Sequence, residues 1–201
     1  MRDHEATWDK RLQIRTCGRD EENADQYRYP YEPTPYSVLE RLAAAGMIGA
    51  GDTVLDYGCG MGRVDFFLAH QTKAHTIGVE YDQRIYRQAV ENQKTALSRG
   101  RSSFVLGRAE AYPVPAEVNR CYFFNPFSVE ILHKVLARLL DSWYGHPREI
   151  CLFFYYPAEE YLSCLMAVDE LEYLDEIPCG DLFEGKNPRE RIAIFRLPAL
   201  C

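Results

Sequence analysis

The chain has 201 residues, 47% of them hydrophobic and 26% charged, which suits one compact domain with a single sizeable core. The formal net charge is −7, and a protein that binds nucleic acid mainly through the phosphates usually has a basic surplus. The charge therefore makes a nucleic-acid partner less expected, but does not exclude one. No apolar run approaches the roughly 20 residues of a membrane-spanning helix. The charged start of the chain also lacks the apolar core of a secretory signal. We therefore expect no membrane attachment.

The seven cysteines are scattered, odd in number and never spaced as C-x-x-C. This pattern predicts reduced thiols in a cytoplasm rather than a disulfide framework. The five histidines form no ligand pair with these cysteines, so the sequence predicts no metal site.

The first 36 residues differ from the rest of the chain. They are polar and end in a run rich in tyrosine and proline, YRYPYEPTPY (27–36). Because proline fixes φ and removes a donor, this run is predicted to be extended. We interpret residues 1–36 as an N-terminal extension to a domain of residues 37–201. That domain opens with a helix, for which Ser37 is the predicted N-cap and Gly46 the predicted end.

Strand-like and helix-like segments then alternate, which is typical of an α/β fold with a parallel sheet. Asp82 is the predicted N-cap of the helix that follows the second strand. The last two strands are joined by a polar loop and are predicted to be antiparallel. The fold class is therefore α/β, with a doubly wound, mostly parallel seven-stranded sheet that ends in an antiparallel hairpin. The predicted strands are 53–57, 76–80, 103–106, 120–124, 149–155, 171–177 and 191–197.

The segment VLDYGCGMGRV (54–64) joins the first strand to a helix. The strand brings Asp56 to its carboxyl end, where α/β sheets place their ligands. Gly58, Gly60 and Gly62 let the backbone turn sharply and approach a ligand, toward which the first amides of the helix also point. Dinucleotide sites use G-x-G-x-x-G, whereas these glycines fall as G-x-G-x-G. A nicotinamide-dependent oxidoreductase is an alternative, and a tight turn without any ligand is another.

A second acid stands at the end of the second strand, in GVEYD (78–82). This acid, Glu80, lies about twenty residues after the glycine turn. The ribose-binding acid of α/β nucleotide sites lies at the same separation from its turn. A carboxylate there can accept both ribose hydroxyls of an adenosine-bearing cofactor. The alternative is a solvated charge at a strand end.

In order and spacing, residues 53–197 resemble a class I S-adenosylmethionine-dependent methyltransferase, whose motif I is DxGxGxG. The resemblance implies S-adenosylmethionine as the cofactor and a seven-stranded sheet completed by a reversed final hairpin. Arg108, in GRAEAYP (107–113), stands where the family has an aspartate. The residues that the resemblance assigns to the cofactor are Asp56, Gly58, Cys59, Gly60 and Gly62 at the methionine end, Glu80 at the ribose, and Tyr81, Ala109 and Glu110 at the adenine.

The N-terminal residues carry a further resemblance. WDKRLQIRTCG (8–18) followed by YEPTPY (31–36) is similar to a bacterial group with a Y-x-PTP lead-in before motif I, and PTP is also found in small lysine methyltransferases of the seven-strand class. The resemblance implies that the segment is a cofactor lid, in which Tyr31, Thr34 and Tyr36 close over the methionine end. The alternative is that these tyrosines only pack the segment onto the domain.

The methyl acceptor is expected beyond the fourth strand, where the chain reads CYFFNPFS (121–128). Asn125 can accept an amine hydrogen through its side-chain carbonyl, and Phe127 can stack on a flat or cationic group. The amino-methylating branch of the family has N-P-P-Y/F here, and this chain has N-P-F. The alternative is a turn in which Asn125 caps backbone groups and Phe127 belongs to the core.

Cysteine chemistry is a weaker alternative. Cys179 follows a proline, as do the nucleophiles of some base methylases, but it lies after the sixth strand, away from the expected acceptor. Cys59 stands near a helix N-terminus, which can lower a thiol pKa.

The resulting prediction is an S-adenosylmethionine-dependent methyltransferase that acts on an amine nitrogen, such as lysine, of a protein or a small molecule. A nucleic-acid base N-methyltransferase and a non-catalytic cofactor-binding protein are the further alternatives.

Overall fold

A computed structural model describes residues 2–22, 25–185 and 187–199, so the two ends of the chain, Met1 and Cys201, lie outside the described residues. The helices are α1 Arg2–Leu12, α2 Tyr36–Ala44, α3 Arg63–Gln71, α4 Gln83–Thr95, α5 Val129–Gly145 and α6 Glu159–Met166. The strands are β1 Thr53–Tyr57, β2 His75–Glu80, β3 Ser102–Leu106, β4 Arg120–Phe123, β5 Ile150–Tyr155, β6 Glu172–Pro178 and β7 Arg191–Leu197. In this part of the chain no helix is long and apolar enough to cross a membrane.

The strands form one seven-stranded sheet in the order β3-β2-β1-β4-β5-β7-β6. The first five strands are parallel, while β7 runs antiparallel to both β5 and β6. The predicted fold class is confirmed. Strand order reverses direction between β1 and β4, and α/β sheets bind ligands in the crevice at this switch point. A dinucleotide-binding sheet has the order 3-2-1-4-5-6 and lacks the inserted reversed strand.

Helices cover both faces of the sheet, so its central strands are mostly buried. Every residue of β5 is buried, as expected for a strand with a hydrophobic layer on each side. One layer packs the sheet against α1, α2 and α3, and the other packs it against α5 and α6.

The polar N-terminal residues include a helix, α1, that the sequence did not predict. Its buried residues are few, but Trp8 lies 5.8 Å from the Tyr36 ring and 4.9 Å from the Phe67 ring, measured between centroids. Trp8 and Leu12 thereby join the same hydrophobic layer as α2 and α3. Helix α1 is therefore packed onto the domain through Trp8 and Leu12.

Two capping predictions have different outcomes. The Asp82 carboxylate accepts the backbone N–H of Arg84 at 2.8 Å and that of Ile85 at 3.3 Å, so Asp82 is confirmed as the N-cap of α4. The prediction for Ser37 is wrong, because α2 begins one residue earlier and Pro35 occupies its N-cap position. Proline is pre-organised there, with φ at −57°, and Ser37 falls inside the first turn.

Candidate active site

One cleft lies at the carboxyl ends of β1, β2 and β4, and the N-terminal segment forms part of its lining. Ten of the residues singled out from the sequence line it: Tyr31, Thr34, Asp56, Gly58, Cys59, Glu80, Tyr81, Ala109, Glu110 and Phe127. Gly60, Gly62, Asn125 and Tyr36 are not part of this lining; Tyr36 is buried against Trp8 and Phe67, as in the alternative in which it only packs the segment onto the domain. The fold thus gathers residues that are more than 90 positions apart in sequence, Tyr31 and Phe127 among them, around one space.

The glycine turn after β1 is required by the packing of the protein itself. Gly58, Gly60 and Gly62 have φ values of 75°, 57° and 85°, in the left-handed region that favours glycine. A Cβ on Gly58 would lie 2.5 Å from Pro126 Cβ, and one on Gly60 would overlap the Tyr31 ring. The turn therefore allows the loop after β4 and the N-terminal segment to approach β1 closely.

Glu80 connects this turn to the end of β2. Its Oε2 accepts the Gly60 N–H at 3.0 Å and its Oε1 accepts the Asp82 N–H at 2.8 Å. Burial raises the pKa of this carboxyl, and hydrogen bonds from the backbone of Asp82, Gly60 and Tyr81 oppose that shift. A carboxylate offers about four lone-pair sites, so Glu80 can hold the turn and still accept from a ligand hydroxyl.

Asp56 is 3% exposed, and its Oδ2 meets no hydrogen-bond donor among the described residues. The equally buried Asp65 carboxyl, from the first turn of α3, interacts electrostatically with Asp56, and its two oxygens have no donor among the described residues. Burial raises the pKa of Asp56 to about 7, and burial together with the Asp56 charge raises the pKa of Asp65 well above its usual value. The pair therefore retains a proton near neutral pH, and Asp56 lines the cleft.

An arginine that the sequence analysis did not single out reaches the adenine end. Arg28 Nη2 donates to Glu110 Oε1 at 3.0 Å, and its guanidinium carbon lies 4.9 Å from the centroid of the Tyr81 ring. Its place between tyrosines, in YRYPY (27–31), was the available signal. Arg28 thus contacts two of the three residues predicted at the adenine.

A second arginine that sequence reasoning missed, Arg63, joins α3 to the N-terminal segment. It is 2% exposed, forms an ion pair with Glu5, and donates from Nε to Thr16 Oγ1 at 2.7 Å. Its guanidinium carbon also lies 4.3 Å from the centroid of the Tyr36 ring. Tyr31 donates its hydroxyl to the Thr16 carbonyl at 2.6 Å. A buried cation therefore holds the segment that carries Tyr31 and Thr34 against the cleft.

The loop after β4 is held from two sides. Residues 27–29 pair with it, since Ser128 N donates to Tyr27 O at 2.8 Å and Tyr29 N donates to Pro126 O at 3.3 Å. On the other side Asn125, at φ +40°, donates from Nδ2 to Tyr156 O at 2.6 Å. This is the backbone-capping contact that the sequence analysis weighed as an alternative for Asn125.

The two predicted acceptor residues differ in placement. Phe127 is 4% exposed and packs edge-on to Phe123, yet it also forms part of the cleft wall. The Asn125 side chain lies behind that wall, and its Oδ1 is buried without a donor in the part of the chain that the structure describes. A catalytic role for either residue stays a prediction.

A hydroxyl pair crosses the cleft near Asp56. Thr34 Oγ1 and the Tyr122 hydroxyl are 3.0 Å apart, and both side chains are buried. Tyr122 on β4 is the register partner of Asp56 on β1, so the two side chains share one face of the sheet. Sequence reasoning missed Tyr122 because it lies in the apolar run of β4.

The two cysteines weighed as nucleophiles are not activated. Burial, reinforced by neighbouring carboxylates, raises the pKa of Cys59 well above its usual value, so the lowering expected from the helix N-terminus does not occur. Burial likewise raises the pKa of Cys179 to about 11. Both thiols are therefore protonated at neutral pH.

Comparisons with known proteins agree with this geometry. Residues 54–146 match the family model of a methyltransferase domain. A protein-lysine N-methyltransferase of Saccharolobus islandicus (strain REY15A) is 34% identical over 79 residues, which are 39% of this chain and 49% of that relative. The match thus spans about half the length of the curated relative.

Two solved structures show the same fold at low identity. A TehB-like SAM-dependent methyltransferase from Corynebacterium glutamicum has a TM-score of 0.57 at 17% identity, covering 98% of this chain and 97% of its own. An RNA methyltransferase from Salinibacter ruber, in complex with S-adenosyl-L-homocysteine, has a TM-score of 0.53 at 18% identity, covering 85% and 96%. The arrangement of the sheet and its helices is therefore a fold that this chain shares with both proteins.

Proposed function

We propose that this chain, which contains a methyltransferase domain over residues 54–146, transfers the methyl group of S-adenosylmethionine to an amine nitrogen on a protein side chain. The observation that carries the proposal is one cleft with two halves. Two buried carboxyls, Asp56 and Glu80, line one half, and aromatic residues after β4 wall the other.

The residues of the first half fit the cofactor. Asp56 lines the cleft, and its buried Oδ2 meets no donor among the described residues, which suits an ammonium group at the methionine end. Glu80 would accept from the ribose hydroxyls, and Tyr81, Ala109 and Glu110 would contact the adenine. When bound, the cofactor supplies a methyl group activated by its sulfonium.

The second half favours an aliphatic amine. Its walls include Tyr29, Phe124, Pro126 and Phe127, and apolar and aromatic surfaces accommodate the stem of a lysine and a cationic head. The curated relative matched above is a protein-lysine N-methyltransferase, which supports this acceptor class.

The protein's contribution to an in-line displacement is alignment and exclusion of water. Residues 28–34 line the cleft, and Tyr31 and Thr34 would close over the methionine end of the cofactor. We assign residues 1–36 to this lid and residues 37–201 to the catalytic domain. Phe127 would form one wall around the amine, and Asn125 would orient the nitrogen. The amine must lose a proton before it attacks.

The test is to incubate the protein with radiolabelled S-adenosylmethionine and extract from its host, and then to fractionate the label. We expect label in protein that resists nuclease and is released by protease. Label in nuclease-sensitive material would instead support a nucleic-acid base as the acceptor, the class named for the Salinibacter ruber neighbour. Cofactor binding without any labelled product would indicate a non-catalytic cofactor-binding protein.

Asn125→Ala sharpens the acceptor assignment. If Asn125 orients the nitrogen, the variant loses transfer while S-adenosylhomocysteine still binds. Full transfer would reduce Asn125 to the structural contact with Tyr156 that the structure shows.

A further inference from the structure

We infer that Arg28 closes the adenine end of the cleft and limits the rate at which the cofactor leaves. The inference rests on the proposed function, since it takes an adenosine-bearing cofactor as the ligand. It adds a positioning residue, contributed by the N-terminal segment, to a site whose other adenine contacts come from the ends of β2 and β3.

The side chain of Arg28 joins two loops. Its Nη2 lies 3.0 Å from Glu110 Oε1, and both side chains are largely buried, with exposures of 16% and 17%. The same guanidinium lies over the Tyr81 ring at 4.9 Å. One planar cation therefore contacts the residue after β2 and a residue of the loop after β3 at the same time.

The backbone of Arg28 is anchored to a third loop. Arg28 forms an antiparallel bridge with Phe127, flanked by the hydrogen bonds of Tyr27 and Tyr29 to the loop after β4. Asp25 Oδ1 also accepts the Arg28 N–H at 2.7 Å, which fixes the turn that leads into the bridge. Arg28 thus spans the cleft from the β4 end to the β2 and β3 ends.

This arrangement predicts a kinetic role. A flat guanidinium can stack on an aromatic ring while it pairs with a carboxylate, and a lysine ammonium cannot reproduce both contacts. For an adenine seated between Tyr81 and Glu110, release requires the Arg28 contacts to open. Removing them should therefore raise the dissociation rate more than it lowers the association rate.

The experiment is stopped-flow displacement of S-adenosylhomocysteine from the full chain, with a thermal melt of every variant to check folding. We expect Arg28→Ala to raise the dissociation rate by about tenfold, the combined effect of one partly buried ion pair and one cation–π contact. Arg28→Lys and Glu110→Gln should give smaller increases. Arg87→Ala, an exposed arginine on α4, is the matched control and should behave as the unsubstituted chain.

A dissociation rate for a folded Arg28→Ala within twofold of the unsubstituted chain would overturn the inference. If that variant does not fold, Arg28→Lys and Glu110→Gln replace it in the experiment. Unchanged dissociation rates in both of these variants would also overturn the inference. Failure of the unsubstituted chain to bind S-adenosylhomocysteine would instead overturn the proposed function, and the inference with it.

Discussion

The two halves of the cleft are built in different ways. In the cofactor half, the contacts of the glycine turn join residues at most 20 positions apart, since Gly60 and Asp82 both donate to Glu80, and the Arg28–Glu110 pair adds one long-range contact. In the acceptor half, the polar contacts join distant residues: Asn125 donates to Tyr156 across 31 positions, and Tyr29 donates to the Pro126 carbonyl across 97. A local motif thus makes the centre of one half, and long-range packing makes the other.

The difference matters because the N-terminal segment contributes to both halves. Arg63, the first residue of α3, holds the segment through Glu5 and Thr16. Residues 27–29 of the segment form hydrogen bonds with the loop after β4. Loss of the segment should therefore disturb the acceptor half most, since that half has few contacts of local origin.

Removing Arg63 should have the largest effect. Arg63→Ala would leave Glu5 and Asp9 without their partly buried cation, and breaking such a pair costs about 3–5 kcal/mol. Urea denaturation should show this loss of unfolding free energy, and limited proteolysis should show cleavage within residues 13–35. Arg87→Ala is the exposed control and should change stability by less than about 0.5 kcal/mol. An Arg63→Ala protein as stable as this control would show that the segment is held by its apolar contacts alone.

Glu80→Ala should have the next largest effect, on cofactor binding. Removing a carboxylate that accepts two ribose hydroxyls should cost about 2–3 kcal/mol of binding free energy, measured by calorimetry with S-adenosylhomocysteine. Because Glu80 also accepts two backbone N–H groups, the melting temperature should fall as well. Unchanged affinity in a folded variant would mean that Glu80 serves the glycine turn only.

The Asp56–Asp65 pair should make stability depend on pH. In the unfolded chain Asp56 ionises near 3.8, whereas burial raises its pKa to about 7 in the folded protein. Between these values the folded state binds more protons, and the raised pKa of Asp65 acts in the same direction, so stability should fall as pH rises from 4 towards 7.

Asp65→Asn is the variant that checks this account of the pair. It places an amide donor beside Asp56, which should flatten the profile and stabilise the protein at pH 8 relative to the unsubstituted chain. The exposed carboxylates also change stability with pH, and the Asp65→Asn profile measures their contribution. If the unfolding free energy of the unsubstituted chain, relative to that variant, rises between pH 4 and 7, the pair does not share a buried proton.

Tyr122→Phe should have the smallest effect on the fold and a selective one on function. It removes one hydroxyl of the pair with Thr34, at a cost of about 1 kcal/mol in stability. If that pair belongs to the acceptor half, S-adenosylhomocysteine affinity should stay within twofold while the rate of methyl transfer falls. An equal loss of cofactor affinity would place the hydroxyl pair in the cofactor half.

The same division explains what the sequence could predict. The seven strands, the Asp82 cap and the glycine turn follow from apolar periodicity and local chemistry, and all were predicted close to their observed bounds. Helix α1 was missed because its sequence is largely polar and its burial depends on Trp8 and Leu12 meeting distant partners.

The arginines show the limit most clearly. In sequence, Arg28 and Arg63 look like ordinary solvated charges, and only the tyrosines on either side of Arg28 distinguish it from the exposed Arg87. Only the fold brings Glu110 to Arg28 and Glu5 to Arg63, at separations of 82 and 58 residues. The placement of Asn125 behind the cleft wall likewise depends on its contact with Tyr156 from the end of β5.

The central claim, a site for S-adenosylmethionine at the carboxyl ends of β1, β2 and β4, is tested most directly by parallel calorimetric titrations with S-adenosylmethionine and with NAD. The account predicts binding of one S-adenosylmethionine per chain, weakened in Glu80→Ala, and no heat of binding with NAD. Binding of NAD alone would contradict it and return the glycine turn to the oxidoreductase alternative.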